Sequence, residues 1–131
     1  MKLFVAAIVY LLPITVCFAG SAEKGEVIFK KCAACHNIDK PENKVGPHLV
    51  VVLGRKAGSI NTYEYSAPMK KVGADGMVWD EETLRNYLAA PKKFIPGSRM
   101  SFTGLNSGED IGDLLEYMKS KWSLRQPVVE P

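Results

Sequence analysis

Residues 32–36 read Cys-Ala-Ala-Cys-His. Two thiols one helical turn apart, followed directly by an imidazole, form the C-x-x-C-H pattern of a c-type haem attachment site. The spacing suits the chemistry: Cys32 and Cys35 can reach the two vinyl groups of one porphyrin and form thioethers, and His36 can then present its imidazole to the iron. Two other uses of the pair fit less well. A redox disulfide would want a strand just upstream in a βαβ unit, and a helix precedes it here. A zinc site needs two more ligands, and among strong candidates only His48 remains.

A second axial ligand must come from elsewhere in the chain. Met69, Met77, Met100 and Met118 are the methionines outside the N-terminal segment. Met118 falls on the apolar stripe of the last helix and reads as core. Met69 and Met77 flank a short helix and a Gly-rich turn, and read as packing. Met100 follows Lys92-Lys93-Phe94-Ile95-Pro96-Gly97-Ser98-Arg99, a proline-stiffened loop free of helical constraint. Spacing favours Met100, with His48 as the rival ligand.

The elements that must position these groups are helical. The first helix covers 22–35, with Val27, Ile28 and Lys31 or Cys32 on one face and Glu23 and Glu26 near its positive end. A short helix covers 66–72, with Ser66 as N-cap and Pro68 in its first turn. The third covers 80–90: Asp80 caps it, Leu84, Tyr87 and Leu88 share a face, and Pro91 ends it. The last covers 107–121, where Ser107 and Asp110 pair as a cap and Ile111, Leu114, Leu115, Met118 and Trp122 form a stripe. The long segments 37–63 and 91–105 show no strand pattern. Loops of that length need something to organise them, and a large apolar prosthetic group would do so.

The first twenty residues differ in kind. Lys2, an apolar run from Leu3 to Phe18 and small residues follow the order of a secretory signal peptide. We expect cleavage after Ala19, residues 1–19 being the leader and 20–131 the domain. An uncleaved anchor and a lipidated Cys17 are the weaker readings. Cleavage leaves Cys32 and Cys35 as the only cysteines, in an oxidising periplasm. The 131 residues are 47% hydrophobic with a net charge of +3. This excludes a disordered polar chain and a small disulfide scaffold, and argues against a nucleic-acid binder.

Six blocks, in order, resemble a class I cytochrome c of the bacterial type most similar to the mitochondrial protein. They are Cys32-Ala33-Ala34-Cys35-His36, Lys44-Val45-Gly46-Pro47-His48-Leu49, Gly54-Arg55-Lys56-Ala57-Gly58, Tyr65-Ser66, Trp79-Asp80-Glu81-Glu82-Thr83-Leu84, and 91–100 ending in Met100. The resemblance spans roughly 25–119. It implies an all-α fold of about four helices with long loops around one haem c, and axial ligation by His36 and Met100.

It also implies roles for neighbouring residues. The Pro47 carbonyl would fix the His36 ring. Tyr65 and Trp79 would bond a haem propionate, with Arg55 offsetting its charge. Tyr87 would lie near the Met100 sulfur and Ser98 near the buried propionate. Gly25 and Phe29 would cross Leu114 and Tyr117. Met69 departs from the family's asparagine, and 71–78 is a few residues long.

Lys31, Lys44, Lys92, Lys93 and Arg99 lie where the family surrounds its exposed haem edge, for docking on acidic partners. The expected function is a soluble, monomeric periplasmic one-electron carrier, not an enzyme. It would pass electrons from a quinol–cytochrome c oxidoreductase to cytochrome c oxidase or a similar acceptor. The alternative is a haem-based sensor or a peroxidase-like enzyme whose sixth ligand leaves.

Overall fold

The computed structural model describes residues 20–123, so the leader expected over 1–19 lies outside the described residues. Five helices follow one another: α1 (Ala22–Ala33), α2 (Ala67–Ala74), α3 (Glu81–Ala89), α4 (Pro91–Phe94) and α5 (Gly108–Ser123). Among the described residues there is no strand. A single antiparallel bridge joins Lys56 to Val78.

The caps are made by the side chains the sequence offers. Ser21 Oγ accepts the Lys24 N–H at 3.3 Å, Asp80 accepts that of Thr83 at 2.7 Å, and Ser107 that of Asp110 at 3.2 Å. Each satisfies an amide that the first turn leaves without a partner. α3 ends where Pro91 disfavours the helical region for Ala90, which is extended at φ −155° and ψ 74°.

The frame is the crossing of α1 and α5, with α3 packed on α5. A Cβ on Gly25 would stand 2.0 Å from the Asp113 carbonyl oxygen and 2.7 Å from Tyr117 Cβ, so the two backbones meet where no side chain fits. The Phe29 and Tyr117 rings lie 5.4 Å apart beside that contact. Asp113, 3% exposed, accepts the Ser21 N–H at 2.6 Å, at the positive end of α1. Ile111, Leu114, Leu115, Met118 and Trp122 are all buried. Glu81 ties α3 to α5 through Lys119 at 2.6 Å, and it also accepts from Arg85 at 2.7 Å.

Three details depart from the sequence reading. α4 is a fifth helix inside the segment expected to be irregular; four residues are too few to show a period, and Pro91 suits the first helical position. Val27 is 62% exposed, because the buried face of α1 is set by Gly25 and Phe29 at the crossing. α1 stops at Ala33, so Cys35 lies beyond its end.

α2 packs on none of the other helices. Its Gly73 lies against the loop backbone instead, where a Cβ would be 2.0 Å from the Ala57 carbonyl oxygen. The loop 34–66 thus packs on α2 and the loop 95–107 on α3, where Leu105 N–H donates to the Leu88 carbonyl at 2.9 Å, and both line a cavity.

Candidate functional site

The cavity holds about 530 Å³, within the range of cofactor sites. Cys32, Cys35, His36, Pro47, Arg55, Tyr65, Trp79, Tyr87, Ser98 and Met100 all line it. They come from the end of α1, from α3 and from three separate loops, so only the tertiary fold brings them together.

His36 sits just past the turn that ends α1, its N–H bonded to the Cys32 carbonyl at 2.9 Å. Its Nδ1 lies 2.6 Å from the Pro47 carbonyl oxygen. A carbonyl can only accept, so Nδ1 carries the proton and Nε2 keeps its lone pair. Burial holds the imidazole below its usual pKa; the Pro47 bond opposes this and the Lys44 charge adds to it. A neutral imidazole with one ring nitrogen already bonded is the form that ligates a metal.

Met100 lies in the loop after α4, partly buried against the core. The Tyr87 hydroxyl donates to its sulfur across 3.8 Å. Burial pushes the Tyr87 phenol above its ordinary pKa, so it remains a donor at neutral pH. The Tyr87 ring lies 4.9 Å from that of Trp79, and both are buried.

Cys32 and Cys35 are free thiols here. Burial pushes Cys32 up to about 11, with the Cys35 charge adding to it and Lys31 opposing, which makes it a poor thiolate in the folded chain. Thioether formation is best served before the cavity closes around the thiols.

A haem fits this donor set. The thiols, the imidazole and the thioether could supply its attachment and ligand chemistry, and most of the remaining lining is apolar or aromatic. Ser98 Oγ is buried in the lining, close enough to the Tyr87 hydroxyl to oppose the rise of its pKa, and keeps hydrogen-bonding capacity for a polar substituent entering the cavity. Arg55 also faces the cavity. Burial lowers its pKa and Tyr65 raises it, and Tyr65 is itself raised by burial.

The cationic residues divide. Lys31 and Arg99 are exposed on the cavity rim. Lys92 and Lys93 are exposed on α4. Lys44 Nζ bonds the Ala33 carbonyl at the end of α1, where a cation complements the helix dipole. His48, the rival ligand, does not line the cavity; burial lowers its pKa, with Arg55 adding to that, and its Nδ1 is buried without a partner.

Other lining residues were not singled out from the sequence. Gly46 is one: a Cβ there would stand 2.3 Å from His36 Cε1. Tyr63 is another, with its hydroxyl donating to the Val45 carbonyl at 2.9 Å and its ring 4.8 Å from that of Tyr65. The Tyr63/Tyr65 alternation was the available signal. Gly46 carried none beyond its place before a proline. Met69 also lines the cavity, 8% exposed.

Comparison with known proteins identifies the family. A family model of cytochrome c matches residues 22–122. Cytochrome c2 of Agrobacterium tumefaciens (strain II Chrys) is 46% identical over 100 residues, 76% of this chain and 90% of that one. Cytochrome c2 iso-2 of Magnetospirillum molischianum is 46% identical over 92 residues, 70% of this chain and 92% of that one. The solved structure of cytochrome cH from Methylobacterium extorquens superposes with a TM-score of 0.69 at 41% identity, covering 77% of this chain and 99% of that one. The chain belongs to the cytochrome c family, electron-transfer proteins that carry one covalently attached c-type haem.

Proposed function

We propose that this chain is a periplasmic electron shuttle, attached to its haem through Cys32 and Cys35, with His36 and Met100 as axial ligands. It takes single electrons from a quinol–cytochrome c oxidoreductase and delivers them to cytochrome c oxidase or a similar acceptor. The observation that supports this reading best is that His36 and Met100 line one cavity, each already held by a hydrogen bond, the first to Pro47 and the second from Tyr87.

When bound, the haem supplies a one-electron ferric/ferrous couple. The chain's residues bias and protect it. A thioether ligand favours the ferrous state. Two protein ligands leave no site for a substrate, and the loop 96–100 offers no acid or base for peroxide chemistry. Lys31, Lys92, Lys93 and Arg99 give the rim a positive field that suits brief encounters with acidic faces. Among the described residues no helix is long and apolar enough to cross a membrane. Removal of residues 1–19 on export fits this reading.

Reduction of the purified holoprotein by a quinol–cytochrome c oxidoreductase tests the assignment. Fast reduction that slows as salt rises, and slows further in Lys92→Glu/Lys93→Glu, supports the shuttle. Reduction indifferent to salt and to those charges contradicts the docking face. Ready carbon monoxide binding by the reduced protein at neutral pH would favour the sensor reading.

A further inference from the structure

Val51 is the one non-glycine among the described residues with a positive φ, 49°. A Cβ disfavours this left-handed region, and branching at Cβ makes it a marked outlier. Such a conformation persists only where its surroundings hold it.

One residue does most of the holding. The Arg55 N–H donates to the Val52 carbonyl at 3.0 Å, and its guanidinium donates to the carbonyls of Val50 and, at 2.9 Å, His48. The acceptors on both sides of Val51 therefore belong to Arg55. The planar fork of a guanidinium suits two carbonyls at once, which a lysine ammonium on its flexible stem does not reproduce.

The far end of this turn is the peptide that serves His36. The Pro47–His48 peptide is pinned at its nitrogen, where His48 N–H donates to Asn43 Oδ1 at 3.1 Å, and the next carbonyl is pinned by Arg55. Its own oxygen accepts from His36 Nδ1 at 2.6 Å. The ring of Pro47 fixes only φ, so the direction of that oxygen depends on the hydrogen bonds that hold the peptides after it.

We propose that Arg55 is a positioning residue for His36: it holds the Val51 turn in its left-handed form and so keeps the Pro47 carbonyl on His36 Nδ1. This is separate from any charge that Arg55 offers to the cavity. Without the clamp, Val51 returns to negative φ and the carbonyls of residues 48–50 turn with it, which leaves the Pro47 carbonyl held only through the bonds of His48 N–H to Asn43 and, at 2.7 Å, of Leu49 N–H to the Asn37 carbonyl. A glycine at 51 carries no such penalty, and the turn then stays in place without help. The inference rests on His36 as the imidazole ligand.

The test uses the reduced, haem-bearing protein and reads the exchange rate of the His36 Nδ1 proton by NMR. Arg55→Lys keeps the charge and loses the fork; it should speed exchange by about tenfold or more, the loss of roughly one well-made hydrogen bond. Arg55→Lys/Val51→Gly should return to within about threefold of the parent, a coupling that independent sites would not show. Exchange unchanged in Arg55→Lys, or equally fast in the double variant, overturns the proposal. Val51→Gly alone gives a second reading with the clamp intact: its unfolding midpoint rises if Val51 is strained, and a fall overturns the proposal. A parent with no slowly exchanging Nδ1 proton overturns both this inference and the assignment of His36, whatever the variants do.

Discussion

The Tyr87 hydroxyl points its proton at the Met100 sulfur, 3.8 Å away, from a buried position on α3. Were the sulfur a ligand of the haem iron, that bond would draw electron density from it and cost the ferric state more than the ferrous. Tyr87→Phe keeps the ring contacts with Trp79 and Phe94 and removes the hydroxyl, with its bond to the sulfur and its contact with Ser98. With Met100 on the iron, the reduction potential should fall by up to about 40 mV, the equivalent of ~1 kcal/mol for a one-electron couple. Redox titration of the two proteins checks this; a rise would mean that the hydroxyl acts on something other than the sulfur.

Close approach makes two glycines irreplaceable and leaves a third free. Gly25→Ala puts a Cβ against the Asp113 backbone at the α1–α5 crossing. It should cost at least about 2 kcal/mol, since backbone cannot yield as a side chain can. The melting midpoint should then drop by roughly 10 °C. Gly46→Ala drives a Cβ into the His36 ring and should lower the midpoint and disturb the haem spectrum together. A Cβ on Gly108 meets nothing within 4 Å, so Gly108→Ala should stay within about 0.5 kcal/mol of the parent.

The bridge between α3 and α5 sets a pH dependence. Lys119 and then Arg85 hold the Glu81 carboxyl below its ordinary pKa. A depressed folded pKa contributes stability above the unfolded value of about 4.3 and loses it as pH falls through the lower folded value. Lys119, raised by the same bond to Glu81, keeps its share until alkaline pH. Glu81→Gln should therefore be less stable than the parent at pH 7, by a gap that narrows as pH is lowered to 3. The Glu81 side chain is 42% exposed, so the difference at pH 7 should stay under about 1 kcal/mol. Urea unfolding at the two pH values checks it, and an equal gap at both would remove Glu81 as the cause.

Loss of the haem should undo most of the fold. Without the group, the apolar and aromatic lining of the cavity faces water, and the loops around it lose the surface they are packed to bury. Cys32→Ser/Cys35→Ser, which cannot form thioethers, should show a large loss of helical circular dichroism. A variant that stays haem-free and fully helical would mean that the loops close without the group.

The attachment motif was legible because its chemistry demands contiguous residues. Helix caps and the α5 stripe were legible for the same reason: a cap spans three residues and a stripe repeats every three or four. For the second ligand, spacing and the proline-stiffened loop already favoured Met100 over the other methionines and His48, and resemblance to a family strengthened that reading. Gly46 and Val51 lay beyond reach, because one is defined by the approach of a distant ring and the other by carbonyls that Arg55 holds. Val27 misled for a physical reason. It shares a stripe with Ile28, but the buried face of α1 turns toward the glycine that lets α5 approach.

Binding of the haem iron by both His36 and Met100 is tested by the near-infrared spectrum of the oxidised protein, in the region where iron–thioether charge transfer absorbs. A weak band there should disappear in Met100→Ala and persist in Met69→Leu. A band missing from the parent, or one that survives Met100→Ala, would exclude Met100 as the ligand.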